Sequence, residues 1–413
     1  MMTSALTPKR ELWVLVTLAG IQFTHVVDFM VMMPLGPQFT KLFNISDAKF
    51  GLLVSSYTFA AGASGLLASL YVDRFGRKKL LLGLYVLFGL ATLACGLAPT
   101  YDTLMLARVA AGAFGGVLMA LSQTIIADVI PFERRGRAMG IVMSSFSVAT
   151  VAGVPGSLFL AAHFGWHAPF FAIALVCAAL ALGAWVTLPP LAGHLQSERQ
   201  SPLANIITVL QDRNHQKAFV FTALLVSAGF TLFPYITIYL TANAGFTVQQ
   251  VPFVYLCGGA ATLFTARWIG RLSDSVGKAK MFTIMALLTM VPMTLLPHSA
   301  PFGLYAVLVV TTCMFIGMNG RMIPGMAVVT SAANPQLRGT FMALNSSVQS
   351  AGMGVAAFVG GLIISRDAQG LVQHFWVNAL VGVVATVLSV MLVGRLKLYG
   401  AAQPPLAAKV KVS

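Results

Sequence analysis

Charged side chains are scarce in this chain. Lys, Arg, Asp and Glu make up 9% of its 413 residues, whereas hydrophobic residues make up 58%. A water-soluble protein of this length needs far more polar surface to stay dispersed. The composition therefore excludes a soluble domain and predicts an integral membrane protein.

Cysteines are also few, and they are not arranged for chemistry. Cys95, Cys177, Cys257 and Cys313 all fall inside apolar runs, without the paired spacing of a metal site or a disulfide framework. We interpret them as packing residues. The chain also lacks a phosphate-binding glycine loop and a His/Cys cluster. We therefore predict no metal, no cofactor and no enzymatic activity, which argues against a membrane enzyme or sensor.

Long apolar runs are abundant instead. A helix crosses a bilayer with about 20 apolar residues. Six such runs are predicted in the first half of the chain, at 12–36, 49–71, 80–98, 103–127, 138–162 and 168–188. Six more are predicted in the second half, at 218–242, 250–270, 281–297, 302–331, 340–364 and 373–394. The expected fold is an all-α membrane protein with twelve transmembrane helices in two six-helix bundles.

This pattern divides the chain into four parts. Residues 1–188 form the N-terminal bundle and residues 218–398 the C-terminal bundle, while residues 399–413 are predicted to be a disordered cytoplasmic tail. Between the bundles, residues 189–217 form a cytoplasmic linker. A helix capped by Ser201 is expected there, lying on the inner leaflet, because Leu203, Ile206, Ile207 and Leu210 share one helical face.

The net charge of +15 is explained by topology rather than by nucleic-acid binding. With a cytoplasmic N-terminus, 20 of the 26 Lys and Arg residues fall in cytoplasmic segments, three lie outside and three lie within helices. This asymmetry follows the positive-inside rule. We therefore expect a multi-pass protein of the cell inner (plasma) membrane, with both termini in the cytoplasm and the lipid bilayer as its partner.

A short charged turn occurs twice. The segment from Asp73 to Lys79 has a counterpart from Asp274 to Lys280, an offset of 201 residues. The dipeptides at Arg135 and Arg338 repeat with an offset of 203 residues. Two loops that agree on one repeat length indicate an internal duplication, which is typical of transporters with two six-helix halves.

These turns resemble the signature of the major facilitator superfamily, Gly-x-x-x-Asp-x-x-Gly-Arg-Lys, between the second and third helices. Ser69 stands in place of the usual glycine in the first copy, and Lys278 replaces the usual arginine in the second. The resemblance implies the major facilitator fold. It also implies a gating role for residues at the inner rim, namely Asp73, Arg74, Gly76, Arg77, Asp128, Asp274, Gly277 and Lys278.

Two interpretations of these rim charges stay open. Ion pairs between them either latch the helices while the outer side is open, or the charges only set topology and solubility. Exposed pairs contribute about 0 to 1 kcal/mol each, which suits a latch that must break in every cycle.

Two further stretches resemble the twelve-helix drug and metabolite:proton antiporter branch of the superfamily. The sequence from Arg108 to Gly112 is similar to its fourth-helix arginine motif, which implies that Arg108 interacts with a coupling carboxylate or with an anionic substrate group. In the fifth helix, Gly153, Pro155 and Gly156 are similar to the antiporter glycine and proline pattern, although Val154 interrupts it. A bend is expected at these three residues.

Asp28 is the leading functional candidate. Of the 11 acidic residues it alone lies deep in an apolar run, where a charge costs about 2.5 to 3.5 kcal/mol and needs a partner, a water-filled cavity or a proton. Gln22 and His25 share its helical face, which is expected to line a central cavity. Asp28 is predicted to bind a proton or a cationic substrate in competition. His25 is interpreted either as a proton relay or as a hydrogen-bonding strut.

Other polar and aromatic residues within predicted spans are candidates for binding substrate. Arg321 either faces the cavity or pairs with backbone carbonyls. Asn345 and Gln349 lie one turn apart, and exposing two amides to lipid is unfavourable. The remaining candidates are Asn319, Phe233 and Tyr235.

Two transport functions remain from these patterns. The first is a monomeric secondary transporter that exports small amphipathic drugs or metabolites in exchange for protons. The second is a symporter or facilitator of a small organic anion or sugar, in which Arg108 and Arg321 bind the substrate. Both predict a small-molecule substrate and alternating access between the halves.

Overall fold

Helices make up nearly the whole of the described structure. The computed structural model describes residues 8–72, 75–130, 134–189, 202–247 and 249–399. In the first half the helices are α1 (Pro8–Val31), α2 (Gly36–Leu42), α3 (Asp47–Tyr71), α4 (Arg77–Leu97), α5 (Tyr101–Val129), α6 (Arg135–Val148), α7 (Val154–Phe164) and α8 (His167–Thr187). A π-helical turn, Ala149–Gly153, joins α6 to α7.

The second half repeats this order. Its helices are α9 (Pro202–Gln211), α10 (Arg213–Phe230), α11 (Ile236–Asn243), α12 (Val251–Val276), α13 (Lys278–Leu295), α14 (Gly303–Ala332), α15 (Arg338–Ile363) and α16 (Phe375–Val393). The short antiparallel strands β1 (Ser365–Arg366) and β2 (Val372–Gln373) pair before α16, with Arg366 opposite Val372. We call the face that carries α2 and this hairpin the outer face, following the predicted orientation.

Within the described residues, eleven helical segments are long and apolar enough to span a membrane. They include α1, α3, α4, α5 and α8 in the first half and α13 to α16 in the second, with α6–α7 and α10–α11 each forming one segment. α12 has 26 residues but is not among the eleven. Its second half carries Arg267, Arg271 and Asp274. The predicted all-α membrane fold is confirmed.

Two of the differences between the predicted boundaries and the helices occur at prolines. The first predicted span, 12–36, ends five residues early at Val31, and a separate outer helix, α2, begins at Gly36. The seventh span is broken by a 3₁₀ turn at Phe233–Tyr235. Pro34 and Pro234 explain both breaks, because proline has no backbone N–H for a helix interior. The predicted cap at Ser201 and the predicted tail from residue 400 onward lie outside the described residues.

The first half packs through close backbone contacts between α3 and α5. A Cβ atom on Gly112 would overlap the backbone carbonyl of Tyr57, and one on Gly116 would overlap the backbone of Ala61. Both contacts are between helix backbones, which cannot move aside as a flexible side chain can. Small residues at such crossings allow van der Waals packing, the main attraction between helices in a bilayer.

The two halves meet along α3 and α15. A Cβ atom on Gly51 would lie 2.9 Å from the carbonyl oxygen of Ala357, and one on Gly62 would lie 3.2 Å from that of Ser347. On the other side of the molecule, a Cβ on Gly259 of α12 would lie 3.0 Å from the carbonyl oxygen of Thr150 in the π-helical turn. Glycines therefore line the seam on both sides.

The α3–α5 contact predicts that Gly112→Ala destabilises the protein. The added methyl group must displace the Tyr57 backbone, and overpacking of this kind typically costs about 1 to 3 kcal/mol. Gly140→Ala is the matched control, because a Cβ there meets nothing within 4 Å. Thermal unfolding of the two purified variants in detergent measures the difference. Equal unfolding temperatures would show that the contact is not tight.

Candidate functional site

A buried ion pair lies in the centre of the first half. Arg108 Nη1 of α5 donates to Asp28 Oδ2 of α1 at 2.7 Å and to the Asp28 backbone carbonyl at 3.3 Å. The hydroxyl of Thr92 in α4 donates to the other carboxylate oxygen at 3.2 Å. Neither charged residue is exposed, with 0% relative accessibility for both. Each charge is therefore compensated by the other rather than by solvent.

An aromatic ring completes the surroundings of the pair. The Arg108 guanidinium lies 4.2 Å from the ring centroid of Tyr57 in α3, a cation–π distance. Gly112, one turn after Arg108, lets α3 approach closely enough for this contact. Four helices, α1, α3, α4 and α5, thus each contribute one side chain to the group formed by the ion pair, Thr92 and Tyr57.

Unpartnered polar atoms lie beside this group. Both ring nitrogens of His25 and the hydroxyl of Tyr57 are buried and have no hydrogen-bond partner among the described residues. His25 Nε2 and the Tyr57 hydroxyl both lie within 3.0 Å of the position of a Cβ on Gly115. The absence of a side chain at Gly115 thus leaves space between two polar groups. The predicted relay role of His25 and its predicted strut role both remain predictions.

A cavity of about 130 Å³ lies between the halves. Its walls are mainly phenylalanine and methionine, with one arginine, one asparagine and one threonine. The lining residues are Phe29, Met30, Met33, Phe146, Thr150, Leu225, Val226, Gly229, Phe230, Phe233, Phe315, Met318, Asn319, Arg321, Met322 and Met353. Apolar walls with a few polar groups are typical of small-molecule sites.

Stacked aromatic rings connect the cavity to the ion pair. Tyr57 stacks on Phe29 at 5.4 Å between centroids, and Phe29 stacks on Phe230 at 6.0 Å. Within the second half, Phe230 stacks on Phe233 at 6.4 Å, and Phe233 contacts Phe315 at 4.9 Å with the rings tilted. Asp28 does not line the cavity, but its neighbour Phe29 does. A change at the ion pair therefore has a short path of packed rings to the cavity wall.

Arg321 lies in the cavity wall and is 2% exposed. Its guanidinium donates to the Thr386 hydroxyl at 2.9 Å, to the Leu225 carbonyl at 3.3 Å and to the Met318 sulfur at 3.0 Å. Its Nε has no partner among the described residues. Both parts of the sequence interpretation therefore apply, since the side chain faces the cavity and also bonds a backbone carbonyl.

The other predicted binding residues are divided between two locations. Asn319 and Phe233 line the cavity beside Arg321. Asn345 instead accepts a hydrogen bond from the Thr222 hydroxyl at 2.7 Å, and the Tyr235 hydroxyl donates to the backbone carbonyl of Ala357, both within the second half.

Gln22 is buried in α1 and Gln349 is half-buried in α15, and neither lines this cavity. The structure therefore does not bring together all the residues predicted to bind substrate. The roles of those outside the cavity stay predictions.

The predicted gate residues form contacts within each half. Arg77 Nη1 lies 2.7 Å from Asp128 Oδ2, joining the start of α4 to the end of α5. Lys278 Nζ donates to the Ser331 hydroxyl at 3.1 Å, joining α13 to α14. Neither contact crosses between the halves, as a latch would. Asp274 is exposed.

The glycines of the two turns shape the backbone. Gly76 is the extended residue before α4, and Gly277 separates α12 from α13 with a φ of +99°, a conformation that side chains disfavour. Asp73 and Arg74 lie outside the described residues.

The fifth span is interrupted where a bend is predicted. The π-helical turn ends at Gly153, and Pro155 occupies the first turn of α7. A Cβ on Gly153 would overlap the Val27 side chain of α1, whereas one on Gly156 would meet nothing within 4 Å. Gly153 is thus needed for close packing against α1, and Gly156 is not.

Sequence reasoning missed two residues of the buried group and one ion pair at the outer face. Thr92 and Tyr57 could not be singled out from the sequence, because hydroxyl and aromatic residues are common in apolar helices. In the ion pair, Arg366 donates to both carboxylate oxygens of Asp47 at 2.8 and 2.9 Å. Hydrogen bonding to Asp47 raises the pKa of Arg366. These residues are 319 positions apart, and only the duplicated architecture brings them together.

Comparison with known proteins agrees with the fold and the sequence motifs. Residues 18–357 and 268–411 match the family model described as Major Facilitator Superfamily. The chain therefore belongs to this superfamily of membrane transporters. The uncharacterized MFS-type transporter YtbD of Bacillus subtilis (strain 168) is 26% identical over 295 residues, covering 71% of this chain and 73% of YtbD.

Solved structures show the same fold at low identity. A bacterial homologue of the human lysosomal transporter Spinster, in an inward-facing and occupied conformation, superposes with a TM-score of 0.76 at 18% identity and covers 97% of this chain and 100% of its own. A D-xylose-proton symporter has a TM-score of 0.76 at 16% identity, covering 93% and 97% of the two chains.

The ion pair predicts unequal effects on stability. Removing one partner of a buried pair typically costs about 3 to 5 kcal/mol. Asp28→Leu should be the more harmful change because the Arg108 guanidinium cannot lose its proton, whereas after Arg108→Gln the Asp28 carboxyl can gain one. Thermal unfolding in detergent compares the two, with Asp102→Asn at the exposed start of α5 as control. Equal losses, or a greater loss for Arg108→Gln, would contradict this account.

Proposed function

We propose that this transporter is a proton-coupled antiporter that exports small amphipathic compounds by alternating access between its two halves. The observation that carries the proposal is the buried Asp28–Arg108 pair, with a carboxylate that has no access to solvent and one charged partner. Membrane-embedded carboxylates of this kind mark proton pathways and substrate sites.

Proton binding at Asp28 changes the balance of charge around it. The deprotonated carboxylate accepts hydrogen bonds from Arg108 and Thr92 through its two oxygens. Protonation removes the charge that compensates the guanidinium, so the geometry of α1 against α5 must change. The first half therefore has two arrangements, selected by one proton.

Phe29 connects these arrangements to the cavity. It follows Asp28 in α1, stacks on Tyr57 beside the Arg108 guanidinium, and forms part of the cavity wall. A substrate against Phe29 and a proton on Asp28 thus act on the same segment of α1. Because Asp28 itself does not line the cavity, this indirect coupling replaces the direct competition for one carboxylate that the sequence suggested.

The outer face supplies a closing contact between the halves. The bidentate Asp47–Arg366 pair joins the start of α3 to the hairpin before α16. It is the ion pair between described residues that crosses from one half to the other. Its separation is required for the outer side to open, so it acts as a latch for the state shown.

The second candidate function is the symport or facilitated transport of a small organic anion or sugar. Arg321 in the cavity wall favours it, because a buried cation there suits an anionic substrate. A D-xylose-proton symporter is among the proteins that share the fold, so the fold is compatible with symport. The interruption of the fifth span near Pro155, where the sequence resembles antiporters, favours exchange.

Proton coupling through Asp28 predicts that Asp28→Asn abolishes substrate-dependent proton movement. Asparagine retains the shape and one of the two acceptor oxygens, but its amide cannot take up a proton. Reconstituted proteoliposomes with a pH-sensitive dye inside measure proton flux on addition of cationic, neutral and anionic amphipathic compounds. Asp102→Asn is the control and should behave as wild type. Wild-type proton flux in Asp28→Asn, or none in the wild type with any compound, would refute the proposal.

The latch predicts faster access from the outer side when the pair is removed. Asp47→Asn and Arg366→Gln should each increase labelling of a Phe50→Cys reporter by an impermeant maleimide by about 2- to 5-fold, the range expected for loss of a partly exposed pair. Phe50 is buried at the outer seam beside Tyr235, and native cysteines are replaced by serine. Lys41→Gln is the control, because it removes a charge at the outer face that is not part of the Asp47–Arg366 pair. Unchanged labelling would mean that other contacts hold the seam.

A further inference from the structure

The two halves differ in how they compensate their buried arginines. Arg108 in α5 has the Asp28 carboxylate at 2.7 Å, but Arg321 in α14 bonds a hydroxyl, a carbonyl and a thioether sulfur. None of these three acceptors carries a charge. Arg321 is 98% buried, and its Nε has no partner in the described part of the chain. A full positive charge is therefore held in the cavity wall with polar groups only.

Among the described residues, no carboxylate pairs with this guanidinium. Among its 11 acidic residues, Asp28 is the one placed deep in an apolar run, and both of its oxygens are occupied by Arg108 and Thr92. A guanidinium stays protonated in proteins, so it cannot become neutral as a carboxyl group can. A negatively charged ligand in the cavity would compensate this charge.

The cavity beside Arg321 limits the size and the chemistry of the rest of the ligand. Its volume of about 130 Å³ is close to that of an engineered apolar cavity of about 150 Å³ that binds benzene. Phe29, Phe230, Phe233 and Phe315 provide aromatic faces, and several methionines provide an adaptable surface. A single aromatic ring or a compact aliphatic group fits this space.

We propose that the cavity binds a small monocarboxylate with an aromatic or compact apolar body, its carboxylate on Arg321 and its body among the phenylalanines. This assignment deepens the proposed function, on which it rests for the role of the cavity as the transported substrate's site. Hydrogen bonds from a guanidinium to a carboxylate are charge-assisted and strong, and Arg321 Nε has no competing partner among the described residues. Asn319, in the same wall, adds an amide near the guanidinium.

Benzoate and its neutral and cationic analogues test the assignment on the wild-type protein. Binding of benzoate, benzamide and benzylamine to the detergent-purified transporter is measured by calorimetry at about pH 7.5, where the carboxylate is ionised. Benzoate should bind about 10- to 100-fold more tightly than benzamide, as expected for hydrogen bonds to a charged group. Equal affinity, a preference for benzylamine, or no benzoate binding at millimolar concentration would overturn the proposal.

Two substitutions at Gly229 separate charge from size. A Cβ on Gly229 lies 3.5 Å from Arg321 Nη2, so Gly229→Asp places a carboxylate of the protein where that of the ligand would lie. Gly229→Asn is nearly the same size and neutral. The Asp variant should bind benzoate at least about 10-fold more weakly than the Asn variant, with benzamide binding alike in both. Equal benzoate affinities in the two variants would contradict a role for the Arg321 charge.

Arg321→Gln and Arg321→Lys complete the test. The Gln variant should lose the preference for benzoate over benzamide, and the Lys variant should keep part of it. Retention of the full preference in Arg321→Gln would overturn the proposal. Because binding is measured without a pH gradient, Asp28→Asn should still prefer benzoate. Failure of proton coupling in proteoliposomes would therefore leave the binding result unaffected, and the two proposals can fail separately.

Discussion

The structure depends on one constraint, namely that a bilayer interior offers no water to compensate a buried charge. Asp28 and Arg108 satisfy it together, and four helices are arranged around their contact. The pair is a poor source of net stability, since apolar residues of similar volume often replace such pairs without loss. Under the proposed function, a proton on Asp28 breaks the pair, and the first half then acts as a two-state element.

The second half stabilises its buried charge in a different way. Arg321 is held by neutral acceptors among the described residues, which is the basis of the proposed carboxylate ligand. The duplicated fold has thus produced one half with an internal charge partner and one half without. Because the phenylalanines between them touch in sequence from Tyr57 to Phe315, the two charges share a continuous apolar boundary. A proton-coupled transporter, as proposed for this chain, needs both a site that responds to the proton and a site that binds the substrate.

The sequence predicted the architecture far better than the site. Apolar runs and charge asymmetry define spans because the bilayer acts on every residue of a helix alike. Asp28 and Arg108 were identifiable for the same reason, as the rare charges in apolar runs. The distance between their side chains could not be predicted, because it depends on how α1 and α5 are rotated about their axes. Tyr57 was missed because tyrosine is common in apolar helices. The Asp47–Arg366 pair was missed because the sequence does not show which charges near loops lie close together in the fold.

The π-helical turn at Ala149–Gly153 has a geometric consequence for the seam between the halves. Each residue of an α-helix advances the chain by about 100° around the axis, so one additional residue in a turn rotates everything beyond it by that angle. α7 therefore presents to α12 a stripe of side chains different from the one that an uninterrupted continuation of α6 would present. These five residues therefore determine which side chains of α7 face α12 at the outer seam. The face that α6 presents to α1 does not depend on them.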